Sequence, residues 1–390
     1  MNTIANIAEN IKLDSGFWNI KSNLPVSYTV EIVPHLFDVS NLTLSQLCKG
    51  DKSTDSRVVV FIDKDVDKLY GDKIKNYLKV SGIDSAWYLI SGDEVSKNID
   101  NVLYVAKKIS ESGLLRRSEK ILAIGGGVLM DVVGFTANLY RRGVPYIRIP
   151  TTLMGQIDAG IGIKTGINYL QHKNRLGTYY APEAALIDPE FLSTLSQRHI
   201  ANGVAEIIKM ACIKDKYLFE LIDTHFHRLT NIDFSEFSEI HQEIMGRAID
   251  GMLRELEPNL WENELERVVD YGHTFSPSLE LKADPTLLHG EAVAVDMALC
   301  TGLALSRGLI TEEEGDRCIR LIQKCKLPIQ HPVFTISLLE DALKDTIKHR
   351  DGFQRVPLMA SIGNAVFIND LCYDDLMSAF KYVKQFSLTE

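Results

Sequence analysis

KILAIGGGVLMDVVGF (120–135) decides the fold class of this chain. Ile121 to Ile124 form an apolar run of strand length, ended by Gly125, Gly126 and Gly127. The helical pattern VLMDVVGF starts at once, so strand, turn and helix follow without a linker, as in a parallel sheet with crossover helices. Three small residues let backbone approach a phosphate, and the helix start offers free N–H groups at its positive dipole end. A tight strand-to-helix turn that binds nothing satisfies the same letters. The spacing departs from G-x-G-x-x-G, because the next glycine is Gly134, so a standard Rossmann dehydrogenase is poorly supported.

The same rhythm extends in both directions. RVVVFID (57–63) and SAWYLISG (85–92) read as strands, each followed by an amphipathic helical stretch, and PYIRIP (145–150) and AALID (184–188) as two more. Asp63 ends its strand at the edge where nucleotides bind in open α/β sheets, placed to accept from ribose hydroxyls, although an aspartate there also serves as a turn or cap residue. Residues 151–180 are polar, glycine-bearing and read as irregular, the kind of segment where a site sits. From Pro189 onward the period becomes helical, as in GVAEIIKMACIKDKYLFELIDTHF (203–226) and GEAVAVDMALCTGLALSRG (290–308). The expectation is an α/β amino-terminal nucleotide-binding domain over 1–190 and an all-α carboxyl-terminal metal-binding domain over 191–390, with a cleft between them.

Composition narrows the function. The chain has 390 residues, with 42 Lys and Arg against 52 Asp and Glu for a net charge of −10, which opposes binding to nucleic acid or to an anionic membrane. No apolar stretch approaches the ~20 residues that span a bilayer, and the amino-terminal MNTIANIAENIKLDSG lacks the order of a secretion signal, so a cytoplasmic protein is expected. Six scattered cysteines without a CxxC pair argue against a thiolate zinc site.

His273 in YGHTFSP, His289 in LLHGEAV and Glu206 in GVAEIIK supply two imidazoles and a carboxylate, the donor set of a catalytic zinc site with positions left for water or substrate. Spacing alone leaves open that these are satisfied polar residues at helix ends. Lys209 follows Glu206 by three residues on the same helix face. Cations for an anionic substrate gather in the irregular segment: Lys164 in DAGIGIKTG, and Lys173 and Arg175 beside Asn174 in HKNRLG. His349 and Arg350 in IKHRDG add to them from the other half.

GDEVSK, IGGGVLMDVVGF, RRGVPYIRIPTTLMGQIDAGIGIKTG, KNRLGTYYAP, NGVAEIIK, GHT and LHGEAV occur in an order and spacing that resemble the dehydroquinate synthase superfamily of sugar-phosphate cyclases, from about residue 57 to 370. The resemblance implies a homodimer that uses NAD and Zn2+, with Co2+ the alternative metal, and a metal held by Glu206, His273 and His289. Asp63, Glu94, Lys97, Gly125, Gly126, Gly127, Asp131, Thr151, Thr152, Lys173 and Thr194 look like NAD contacts. Asp158, Lys164, Asn174 and Lys209 look like the substrate-facing set, and Arg142 resembles an arginine that enters the partner subunit's site.

Departures from the family pattern point to the substrate. Where dehydroquinate synthases carry a second histidine and an arginine, this chain has Pro277 and Glu266, which removes counter-charges for a substrate carboxylate. A neutral ketose chain fits better, and Asp270 and His349 look like the pair of the family's valiolone-forming branch, which acts on sedoheptulose 7-phosphate. Glu291 in HGE points the same way. The expected reaction is a phosphate-eliminating lyase cyclisation; the alternatives are the desmethyl-4-deoxygadusol, 2-epi-valiolone and 3-dehydroquinate outcomes, or a metal-dependent polyol dehydrogenase.

Overall fold

The computed structural model describes residues 18–49, 56–170, 172–230 and 237–386. MNTIANIAENIKLDSG, read above for targeting, lies outside the described residues. Six parallel strands form the main sheet: β1 (Thr29–Ile32), β2 (Ser56–Asp63), β3 (Ile83–Ile90), β4 (Lys120–Gly125), β5 (Tyr146–Pro150) and, after a hairpin of β6 (Lys164–Tyr169) and β7 (His172–Tyr179), β8 (Ala184–Ile187). Alternation along β2 splits the core. Val58, Val60 and Ile62 pack on one face with Ile74, Tyr77 and Leu78 of α2 (Lys64–Val80), which follows the short α1 (Thr43–Lys49). Val59 and Phe61 pack on the other with Val102, Val105 and Ile109 of α3 (Ile99–Ser112) and with Met130 and Val133 of α4 (Gly127–Leu139).

Strand order is β1-β8-β5-β4-β2-β3. From β2 the chain steps to β3 on one side, then crosses to β4 on the other and continues away from it. The switch point therefore lies between β2 and β4, whose ends carry Asp63 and Gly125, and a crevice at such a point is where open α/β sheets take their ligands. The edge strand β1, TVEI, is four residues long and half-exposed, and the sequence reading did not find it.

Residues 151–180 are more regular than expected. A π-helical turn at Gly155–Ala159 leads into the antiparallel β6–β7 hairpin, in which Thr165 and Ile167 are buried while β7 is almost wholly exposed. Polar composition suggested a loop; the hairpin forms because one face of β6 packs onto α4.

After the turn Pro189–Thr194 come α5 (Gln197–Ile213), α6 (Lys216–Thr230), α7 (Glu239–Leu256), α8 (Ser276–Lys282), α9 (His289–Ser306), α10 (Glu312–Lys324), α11 (Ile336–His349) and α12 (Tyr373–Gln385). α9 is buried on every side from Ala292 to Ala304 and is the axis of this half. The expectation of an all-α half needs one correction: β9 (Val356–Ser361) and β10 (Asn364–Ile368) form a hairpin between α11 and α12. Val356 to Met359 of β9 are all buried, so no alternation marked it as a strand. One continuous core joins the halves, running from Leu153, Ile157 and Ile187 into α5, α7 and α9.

Candidate active site

Three elements bring the metal donors together. Ser196 caps α5, which presents Glu206 and Lys209 from a fully buried stretch. Gly272, at φ +74°, turns the chain so that His273 leaves the three-residue turn Val268–Asp270 toward α5. His289 opens α9, and Gly290 lets that helix end touch α5: a Cβ there would run into the Asn202 carbonyl, while Gly290 N donates to Asn202 Oδ1 at 2.6 Å. Glu291 completes the junction by accepting from Leu288 N at 2.7 Å and pairing with Arg198. Asp296 of α9 holds the other histidine's segment, accepting from Phe275 N and Ser276 N at 2.5 and 2.7 Å.

His273 Nε2 and His289 Nε2 lie 3.3 Å apart, and Glu206 Oε1 lies 3.8 and 3.6 Å from them. Donors ~2.1 Å from one tetrahedral ion are separated by about 3.4 Å, so the triangle has the size a zinc-like cation needs. Among the described residues Oε1 of the buried Glu206 carboxylate has no hydrogen-bond donor and Oε2 has only the Lys209 ammonium, 2.5 Å away, an arrangement that calls for a cation at Oε1. Burial, Lys209 and His289 lower the His273 pKa to about 3, leaving a neutral ring with a lone pair to give. Burial also presses on Lys209, but Glu206 and Asp158 outweigh it and keep its pKa above the usual lysine value.

Glu280, which the sequence reading missed, stands behind the donors. Its Oε2 lies 3.4 Å from His289 Nδ1 and its Oε1 pairs with Lys173. The carboxyl is buried, yet the hydrogen bond with His289 and the charge of Lys173 hold its pKa at about 2. Against the burial that lowers it, Glu280 and Glu206 raise the pKa of His289. A carboxylate behind a ligating imidazole orients the ring and raises its basicity, so Glu280→Ala is expected to weaken zinc binding about 10- to 100-fold by calorimetric titration. An unchanged affinity would remove Glu280 from the metal site. Its only sequence signal is an acidic residue between the two histidines.

The expected nucleotide residues gather at the switch point. Asp63 Oδ1 caps α2 through Asp65 N and Val66 N at 2.8 and 3.2 Å, the cap role noted above as an alternative, and Oδ2 faces Gly92. Gly126 leaves the α4 N-terminus without a side-chain cap, Thr152 packs against Gly126, and Thr151 N donates to Gly125 O at 2.9 Å. Lys97 is buried and pairs with Asp131 and with Asn174 Oδ1, both at 2.5 Å. Asn168, also missed, ties Glu94 to the backbone of Asn174 at 2.8 and 2.9 Å. Asn174, expected on the substrate side, therefore sits in the network of the nucleotide residues. Thr194 Oγ1 lies 3.1 Å from Tyr70 Oη of α2.

On the substrate side Lys164 pairs with Glu262, and Arg267 contacts the same carboxylate. Arg267 also binds Asp270 at 2.5 Å. Burial works against ionisation of Asp270, but Arg267 and Arg350 hold its pKa below the usual range. Arg350 is buried and donates to the carbonyls of Gln354 and Arg355, so it braces Asp270 and offers no free charge. The structure does not bring His349 to Asp270: it ends α11 with an exposed side chain. Arg142 is exposed beyond α4 at φ +61°. The sequence reading missed Glu262 and Arg267, although Arg267 is one residue past the position where an arginine was sought.

A family model for the 3-dehydroquinate synthase N-terminal region matches residues 87–202, and one for the C-terminal region matches 203–349. The chain belongs to the 3-dehydroquinate synthase family of sugar-phosphate cyclases. It is 43% identical over 372 residues to a 2-epi-5-epi-valiolone synthase of an Actinomyces species, covering 94% of this chain and 98% of the relative. It is 37% identical over 360 residues to a demethyl-4-deoxygadusol synthase of Trichormus variabilis, covering 91% and 87%. A solved 2-epi-5-epi-valiolone synthase of Streptomyces hygroscopicus subsp. jinggangensis 5008, with NAD+ and Zn2+ bound, superposes with a TM-score of 0.89 at 44% identity, covering 95% of this chain and 100% of that one.

Proposed function

We propose that this protein converts sedoheptulose 7-phosphate to 2-epi-5-epi-valiolone with release of phosphate, using NAD at the β2/β4 switch point and Zn2+ on Glu206, His273 and His289. The observation that carries the reading is the donor triangle: a buried carboxylate whose Oε1 has no hydrogen-bond donor faces two imidazoles, one of them held neutral. The near-full-length likeness to 2-epi-5-epi-valiolone synthases supports this choice of product.

Bound at these places, NAD supplies a reversible hydride acceptor and the metal a Lewis acid, so oxidation and reduction cancel over one turnover. Lys209, charged and buried beside Glu206, provides a fixed ammonium for oxygens that gain negative charge. Lys164 offers the counter-charge to the phosphate, and Asp158 faces the same ammonium groups. Asp270, ionised between two guanidinium groups, accepts from hydroxyls of the open ketose, and holding that chain in a closing conformer favours the intramolecular aldol step. Pro277 and Glu266 bring no positive charge, and Arg267 is engaged by Glu262 and Asp270, so a carboxylated substrate lacks a partner there.

The exposed Arg142 supports a homodimer in which it enters the partner subunit's site. Among the described residues no helix is long and apolar enough to cross a membrane. Incubation with sedoheptulose 7-phosphate, NAD and zinc is expected to release phosphate without accumulating NADH, and NMR of the product to show 2-epi-5-epi-valiolone. Net NADH would instead mean a polyol dehydrogenase, and a different ring stereochemistry another cyclase of the family.

A further inference from the structure

Asp158 and Lys164 are joined by the loop Ala159–Ile163, and the carbonyls from Ala159 to Lys164 are all engaged. Arg148 Nη1 donates to Gly162 O at 2.5 Å and lies 3.4 and 3.5 Å from Gly160 O and Ala159 O, while Nη2 donates to Lys164 O at 3.0 Å. Tyr28 Oη donates to Ile161 O and Tyr180 N to Ile163 O, each at 2.8 Å. One side chain of the sheet thus holds four carbonyls of a single turn.

Arg148 has no solvent exposure and, among the described residues, no carboxylate partner. Among the described residues, carbonyl dipoles, the Tyr146 hydroxyl and the ring of Tyr146, 5.5 Å away, compensate its charge. Removing an unpaired charge from water is costly, and the neighbouring β5 residues Ile147 and Ile149 fill comparable space with apolar atoms. Packing therefore gives no reason for a guanidinium. Its forked donors do, because they span carbonyls that point in different directions. Gly134 of α4 leaves room for it: a Cβ there would lie 2.6 Å from Thr165 Cγ2 and 3.4 Å from Arg148 Nη2.

We propose that Arg148 is a positioning residue, whose guanidinium gathers the carbonyls of Ala159 to Lys164 and so presents Asp158 and Lys164 together to the phosphorylated end of the substrate. The inference rests on the cyclase reading above. It gives the interior of the sheet a part in the reaction, since the strand PYIRIP carries the support of a loop on the cleft.

The test uses Arg148→Ala and Tyr28→Phe in the NAD- and zinc-loaded enzyme. Arg148→Ala is expected to bind NAD and zinc like the wild type and to lose kcat about 100-fold, the scale of a misplacement near 1 Å. Added guanidinium ion at millimolar concentration restores part of the loss. Wild-type kcat in a folded Arg148→Ala, or a loss that follows the fall in Tm and that guanidinium leaves untouched, overturns the proposal. If Arg148→Ala does not fold, Tyr28→Phe decides: it frees one carbonyl of the loop, and lowered kcat with unchanged NAD and zinc affinity supports the proposal, whereas wild-type kcat overturns it. Calorimetry with inorganic phosphate separates this inference from the substrate assignment. Weaker phosphate binding in either variant supports the positioning role even if sedoheptulose 7-phosphate is not turned over, and equal binding overturns it.

Discussion

Glu206→Gln is expected to lower kcat by at least about 1,000-fold, equivalent to about 4 kcal/mol, and to leave the protein without stoichiometric zinc. Glutamine preserves the volume but removes the charge that holds a cation between two neutral imidazoles. The same change strands Lys209, which is only 2% exposed and whose ammonium lies 2.5 Å from the carboxylate. Breaking a buried pair from one side costs about 3–5 kcal/mol, so Tm falls as well. Glu206→Gln combined with Lys209→Met separates the two effects, because it removes the stranded charge and recovers Tm while zinc and turnover stay lost. Full zinc occupancy and wild-type kcat in the single variant would refute the donor triangle.

Lys164→Met is expected to reduce kcat/KM by on the order of 100-fold, about 2.7 kcal/mol, through loss of a charge-assisted contact to phosphate. The wild-type pH profile gives an independent check. Lys164 is half-exposed at the surface of the cleft, and the partial desolvation of its ammonium, together with Arg267, lowers its pKa to about 8. Below that pH the side chain is cationic, and above it neutral, so kcat/KM falls as pH rises through about 8, the limb that reports a group of the free enzyme. Stability responds with the opposite sign. Because the folded pKa lies below the ordinary lysine value of 10.5, the unfolded chain binds more protons between those values, and this group's contribution to stability rises across the same window. The activity limb disappears in Lys164→Met; its persistence there would assign it to another residue.

Legibility followed the range of the interaction. The strands β2, β3, β4 and β5 were readable because alternation and the following helical period are properties of ten to twenty neighbouring residues. β1 was not, since TVEI becomes a strand only by pairing with β8, some 155 residues later, through Thr29 and Ala184. The hairpin of β9 and β10 escaped notice because its first strand, VPLMAS, contains Pro357 and a single β-branched residue, and no helical period follows it directly. In the site, Glu206, His273 and His289 were named from motifs, and the structure supplies the 3.3–3.8 Å geometry that makes them one donor set. Glu280, Asn168, Glu262, Arg267 and Arg148 carried no such mark, because each is defined by what it touches: Glu280 meets Lys173 across 107 positions, and Asn168 meets Glu94 across 74.

Chain-local chemistry gave an α/β half ending a strand in three glycines and a helical half with metal-binding residue types; the resemblance of the motifs to the dehydroquinate synthase superfamily gave the class, and Pro277 and Glu266, as departures from that pattern, pointed away from a carboxylated substrate. Folding alone set which of these side chains touch. It made Arg350 a brace for Asp270, left His349 exposed, gave Asp63 a helix-capping contact, and joined Asn174 to Lys97. The physical reason is that a side chain's charge state and partners depend on burial and on distances of a few ångströms, and both are set by packing between segments far apart in the chain.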